Sequence, residues 1–205
     1  KDRPSDRIGL VVFSGESFTQ CPLTLDHAVV KNPLSQIKSG MIEDGTAIGM
    51  GLATAVSRLK ESKAKSRVII LLTDGINNRG FIDPLTAAGI AQSFGIRVYT
   101  IGVGTVGMAP YPVQTPFGVQ YQNMPVEIDE ALMQKIADQT GGKYFRATDN
   151  RKLKAIYDEI DQLEKTKMEV TQFRRHKEEF YAAAMAAGFV LLLELLLGYT
   201  LLRAH

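Results

Sequence analysis

Apolar positions along the chain fall into three patterns. The runs Ile8 to Phe13 (IGLVVF), Val68 to Leu72 (VIILL) and Val98 to Ile101 (VYTI) are short and nearly continuous. Such runs predict strands buried on both faces of a sheet, and VIILL reads as the most buried of them. Ile48, Leu52, Ala55, Val56 and Leu59 recur at helical spacing and predict an amphipathic helix over about 47–60. Leu153, Ile156, Tyr157, Ile160 and Leu163 make a similar stripe near the end of the domain.

Other signals fill the intervals. Residues 25–38 predict a helix with an irregularity at Pro33, after a short edge strand over 18–21. Asp83-Pro84 reads as an N-cap followed by the first helical residue, opening a helix to about Phe94. Asp129 caps a helix that ends at Gly141-Gly142, and 143–146 is a short strand. Residues 102–126 show no period and are rich in Gly, Pro, Tyr and Gln, as in a long surface loop or a hairpin excursion. Strands alternating with helices predict an α/β fold, doubly wound around a mostly parallel sheet.

The third pattern is the C-terminus. Phe180 to Leu202 is 23 residues with one charge, Glu194. As a helix it spans about 34 Å, enough to cross a hydrocarbon core of about 30 Å. Leucines cover every face, so no polar side is left for water. The chain therefore divides into a domain over 1–163, a charged linker or stalk over 164–179, and a transmembrane helix over 180–202. Arg174, Arg175 and Lys177 before the segment outnumber Arg203 after it, which leans toward a cytoplasmic domain. An extracytoplasmic domain stays open.

Charge and rare residues narrow the chemistry. The 205 residues carry 24 basic and 22 acidic side chains, a balance that gives no reason to expect nucleic acid as partner. A single cysteine, Cys21, excludes an intrachain disulfide, and the three scattered histidines offer zinc no foothold. Gly102 to Gly107 matches G-x-G-x-x-G, but Pro110 and Pro112 forbid the helix that a dinucleotide site requires. No Gly-x-Ser-x-Gly is present, and no histidine is placed to activate Ser14 or Ser17.

Asp74 stands apart. It follows the most apolar strand directly, at the edge where open α/β sheets bind ligands, and Gly75 leaves the approach open. Thr46 sits at or near a helix N-terminus on what should be the same edge; a plain cap is the bland alternative. A hydroxyl and a carboxylate on neighbouring loops suit a hard divalent cation such as Mg2+, which prefers oxygen and retains water.

Taken together, DRIGLVVFSG (6–15), EDGTAIG (43–49), VIILLTDGINN (68–78), RVYTIGVGT (97–105) and the stretch 127–150 resemble the von Willebrand factor A-type (vWA) family. A vWA domain followed by a membrane helix is similar, more narrowly, to the bacterial Bat aerotolerance membrane proteins of the BatA and BatB kind. The resemblance implies a metal-ion-dependent adhesion site built from a D-x-S-x-S loop, a threonine matched by Thr46 and an aspartate matched by Asp74. No D-x-S-x-S occurs in 1–205; in the family it follows a first, central strand, which with its helix would precede Lys1. Two consequences are expected: strands 8–13 and 68–72 are not natural neighbours, and binding of Mg2+, Ca2+ or Mn2+ by this chain is weak.

The function implied is that of a membrane-anchored, metal-dependent protein-binding module, not an enzyme. A partner's carboxylate would complete the metal shell. Other Bat-type membrane proteins and a MoxR-type AAA+ ATPase are the partners the resemblance implies, at the bacterial plasma (inner) membrane. Two alternatives are a metal-dependent hydrolase or transport-associated subunit, and a degenerate vWA scaffold that binds no metal.

Overall fold

A computed structural model describes residues 6–37, 40, 42–104, 107–116, 118–126 and 128–175, with isolated positions 185, 189, 191 and 194 beyond them. The chain divides into two compact units, Lys1–Ile160 and Asp161–His205.

The first unit is α/β. Its parallel sheet has the order β3-β4-β7, from Val68–Thr73, Arg97–Val103 and Tyr144–Ala147. Val68 pairs with Arg97 and Thr73 with Gly102; on the other edge Thr100 pairs with Tyr144 and Val103 with Ala147. Crossovers run through α3 (Pro84–Ser93) and α4 (Glu130–Thr140), as parallel strands require. Both helices start as their sequences predict. The Asp83 carboxylate accepts from Thr86 N at 2.8 Å with Pro84 at the first helical position, and the Asp129 carboxylate accepts from Leu132 N at 2.9 Å. Gly141, at φ 72°, ends α4 in the left-handed conformation.

The core lies where α2 (Ile48–Leu59), α3 and α4 meet the sheet. Ile48, Leu52 and Val56, one turn apart on α2, are buried against Ile69, Leu71, Ala87, Ala88, Val98, Met133 and Ile136. Each large side chain of this kind contributes about 1.5–3 kcal/mol through removal of apolar area from water. Thr140 Oγ accepts from Val98 N at 3.1 Å and so ties α4 to β4.

Two strands differ from expectation in burial. VIILL alternates: Ile69, Leu71 and Thr73 are buried, whereas Val68, Ile70 and Leu72 are half-buried. The most buried strand is β4, with Val98 through Gly102 all inside, because it alone of these strands is paired on both edges. β1 (Ile8–Phe13) is likewise not buried on both faces. It pairs only with β2 (Ser17–Thr24), antiparallel and bulged near Leu10, in a sheet of its own, and Ile8 is 41% exposed. β1 and β3 share no ladder. The helix α1 (His27–Gln36) carries Pro33 inside it and buries none of its residues.

The stretch 102–126 is the hairpin, not the loop. β5 (Gly107–Thr115) and β6 (Gly118–Val126) pair antiparallel along their whole length. A strand, and no helix, therefore follows the G-x-G-x-x-G glycines.

The last helix, α5 (Asn150–Arg175), runs through residues 164–175 of the stretch read as a linker or stalk. Within the second unit Lys165 and Asp161 form an i,i+4 ion pair at 2.6 Å. The predicted membrane helix over 180–202 lies outside the described residues apart from the isolated positions. Among the described residues, no helix is long and apolar enough to cross a membrane.

Candidate functional site

Three loops converge at the C-terminal edge of the parallel sheet. The first is the β1–β2 turn at Ser14-Gly15, the second Glu43–Thr46 ahead of α2, and the third Asp74–Arg79 after β3. The middle loop is clasped from both sides. On one side Ser14 Oγ donates to Gly45 O at 3.0 Å, Ala47 N donates to Ser14 O at 2.7 Å, and Gly15 N donates to Glu43 O at 2.8 Å. On the other, Asn78 Oδ1 accepts from Thr46 N at 2.8 Å while Asn78 N donates to Thr46 O at 3.0 Å. Gly45 makes the approach possible. Its φ is 136°, and a Cβ there would stand 2.3 Å from Arg79 Cγ.

This clasp decides what Thr46 does. The N-cap of α2 is Ala47, which has no side-chain oxygen to offer. The amide of Ile48 is satisfied instead from across the site, by Asn77 Oδ1 at 2.8 Å. Thr46 is thus not the cap of α2. Its hydroxyl lies against the β3 loop, 2.9 Å from where a Cβ on Gly75 would stand. Asp74, the neighbour of Gly75, is exposed. Thr46 and Asp74, 28 positions apart by number, are carried on loops in direct contact.

The donor set has the chemistry of part of a shell. Two hard oxygens suit an oxygen-preferring cation that keeps several waters. Among the described residues no group of three or more His, Cys, Asp and Glu side chains is placed to hold a metal ion. Thr46 and Asp74 bring one hydroxyl and one exposed carboxylate of that kind to adjoining loops, and not a closed cage.

Among exposed polar residues of these loops, Glu43, Asp44, Asn78 and Arg79, two apolar side chains are also open to solvent. Ile76 and Phe81, both on the β3–α3 loop, are 40% and 86% exposed. At the far side of β4 the hairpin rises from the same sheet edge. Arg146 Nε donates to Gly104 O at 3.2 Å and its Nη1 contacts Glu130 Oε1 at 2.5 Å, joining the two ends of the excursion. Burial pushes the nearby Tyr144 phenol above its usual range, with Arg146 opposing the shift.

Sequence reasoning finds Thr46 and Asp74, considers Ser14 only as a nucleophile and assigns no role to Asn77 and Asn78. Their oxygens are instead engaged with backbone groups of the opposite loop. The available signal is that each is a short polar side chain just beyond a buried strand, where such residues bond to nearby backbone.

Comparison with known proteins settles the family. Residues 1–159 match the von Willebrand factor type A domain. The chain belongs to that family. BatB of Bacteroides thetaiotaomicron, a solved structure, is 33% identical with a TM-score of 0.65, covering 78% of this chain and 80% of that one. An aerotolerance-related membrane protein of Bacteroides fragilis is 32% identical with a TM-score of 0.63, over 77% of this chain and 80% of that one. An uncharacterized protein of Borreliella burgdorferi is 27% identical over 192 residues, 93% of this chain. The vWA chain spans about half the length of the curated relatives it matches, 56% in the Borreliella case.

Proposed function

We propose that this vWA chain is a membrane-anchored, divalent-metal-dependent protein-binding module, a scaffold or chaperone-like component of a membrane assembly. The observation that carries the reading is the contact of the Thr46 hydroxyl with Gly75, next to exposed Asp74, on the ligand-binding edge of the sheet. Thr46 and Asp74 would hold the cation. A bound divalent ion supplies an open position for a partner's Asp or Glu carboxylate. Ile76 and Phe81 then bury apolar area against the same partner.

Binding of this kind needs no nucleophile or general base. A hydrolase at the same place would need one, and the oxygens of Asn77 and Asn78 already accept from Ile48 and Thr46. The names of the Bacteroides structures support a Bat-type setting in a membrane. The apolar segment 180–202 supports an anchor in a bacterial inner membrane, and other Bat-type proteins and a MoxR-type AAA+ ATPase complete the proposed assembly.

Mn2+, a paramagnetic probe, tests the metal pair on the full chain. Added Mn2+ should broaden the amide resonances of Thr46 and Gly75 selectively, with Mg2+ reversing the effect. Asp74→Ala should abolish it. Weak affinity is expected from two protein ligands. Broadening spread evenly over the acidic surface, or unchanged in Asp74→Ala, would overturn the assignment.

A further inference from the structure

The hairpin β5–β6 has two outer edges, and they are not alike. Its register pairs Met108 with Pro125, Pro110 with Asn123, Pro112 with Tyr121 and Gln114 with Val119. All three prolines thus fall in one alternate set of pairs. Proline has no N–H, so it is accommodated in a ladder where that group would point away from the neighbouring strand. The set is also the non-hydrogen-bonded one expected next to a two-residue turn closed by Thr115 and Gly118. On β5 the outward-facing positions include Pro110 and Pro112, and two missing donors close that edge to a further strand. On β6 the outward-facing positions are Val119, Tyr121, Asn123 and Pro125; the first three have an amide to give, and Pro125 stands next to the strand's last residue.

Over Val119 to Asn123 the open edge lacks the usual protection, the one proline on it being Pro125 near its end. Natural edges are guarded by charge, proline or a bulge. From Val98 to Val126 the sequence has no Asp, Glu, Lys or Arg. Among the described strands β6 pairs only with β5, in regular register. Met108, Val119 and Tyr121 share one face of the ribbon and are 63%, 53% and 72% exposed. A two-stranded ribbon alone is marginal in water. Arg146 contacts Gly104 and Glu130 on either side of the hairpin, and residues 118–123 of β6 are exposed.

We infer that the outer edge of β6 is a self-association surface, where β6 of a second copy of this chain adds antiparallel about a two-fold axis. With the axis at Tyr121, that residue faces its own copy and Val119 faces Asn123. All three outward amides of each strand find carbonyl partners, and no charge opposes another. The product is a four-stranded sheet whose two outermost strands are both β5. Their prolines stop further growth, so the association closes at two copies. The uncharged and self-complementary edge, with donors at all three of these positions, is the reason to assign a second copy in place of a foreign strand.

Cysteine cross-linking of the full chain in detergent micelles tests this, and the native thiol stays silent because Cys21 is 3% exposed. Tyr121→Cys should oxidise to a covalent dimer, since opposed strand residues lie within disulfide reach. Gln114→Cys, on the closed edge, should not. In parallel, Tyr121→Pro and Asn123→Pro, which remove an outward amide and no ladder bond, should each lower the light-scattering mass of the protein component to one chain. Cross-linking at 114 as efficient as at 121 overturns the inference. So does a single-chain mass in the unsubstituted protein, or a dimer that survives both proline variants with circular dichroism unchanged.

Discussion

Gly75 controls the proposed metal pair without contributing a ligand. A Cβ at this position would stand 2.9 Å from Thr46 Oγ, closer than side chains tolerate, while its backbone needs no left-handed conformation. Gly75→Ala should therefore leave the fold in place and turn the Thr46 hydroxyl away. The expected result is a change in unfolding free energy within about 0.5 kcal/mol, together with loss of the Mn2+ effect at Thr46. Retained broadening at Thr46 in a folded Gly75→Ala chain would show that the hydroxyl plays no part in holding the ion. Thr46 and Asp74 are legible in the sequence because each sits in a recognisable loop beside a strong apolar pattern. Ser14, Asn77 and Asn78 are not, because their bonds cross about thirty positions: Ser14 to Gly45, Asn77 to Ile48 and Asn78 to Thr46. A cap supplied by another loop leaves no local trace at Ala47.

At the scale of elements, what the sequence announces most clearly is where helices begin. Asp83-Pro84 and Asp129 mark α3 and α4 because a cap is a contact between neighbours in the chain. Burial is less legible, since it depends on which strands lie alongside. VIILL is the richer run, yet β4 is the strand enclosed on both edges. The hairpin is one of two readings that the sequence leaves open over 102–126, because prolines and glycines read as turns until their alternate spacing is placed on an edge. β4 also outruns its short neighbour β7, which first pairs at Thr100. Val98 N, on that side, is met by Thr140 Oγ. Thr140→Val removes the acceptor and leaves a buried amide without a partner, at a cost of about 1–3 kcal/mol. Urea unfolding should show stability fall by that amount, and Thr140→Ser should recover most of it. Equal loss in the serine variant would mean that the methyl group, and not the hydroxyl, secures α4 to β4.

For the first compact unit as a whole, the separation of its sheets sets how it opens. β4 has ladders on both edges and helices against it, whereas β1 has one ladder and a half-exposed face. The sequence anticipates that β1 and β3 do not pair, because the resemblance places another strand between them. What it does not convey is how β1 is then held: Phe13 packs on α2 at Gly51, and Ser14 bonds to the loop before α2. The β1–β2 ribbon is therefore attached through α2 and not through a continuous ladder. Local stability follows buried contacts and protected backbone bonds, so the two sheets should open with different free energies. Native-state hydrogen exchange should find the amides of Val98 to Ile101 slowest, released only with global unfolding. Those of Leu10 to Phe13 should exchange through a smaller opening. Phe13→Ala should lower the protection of β1 and β2 while changing that of β4 much less. If the amides of β1 and β4 share one exchange free energy, and fall together in Phe13→Ala, the two sheets are a single cooperative unit and attachment through α2 is as strong as a ladder.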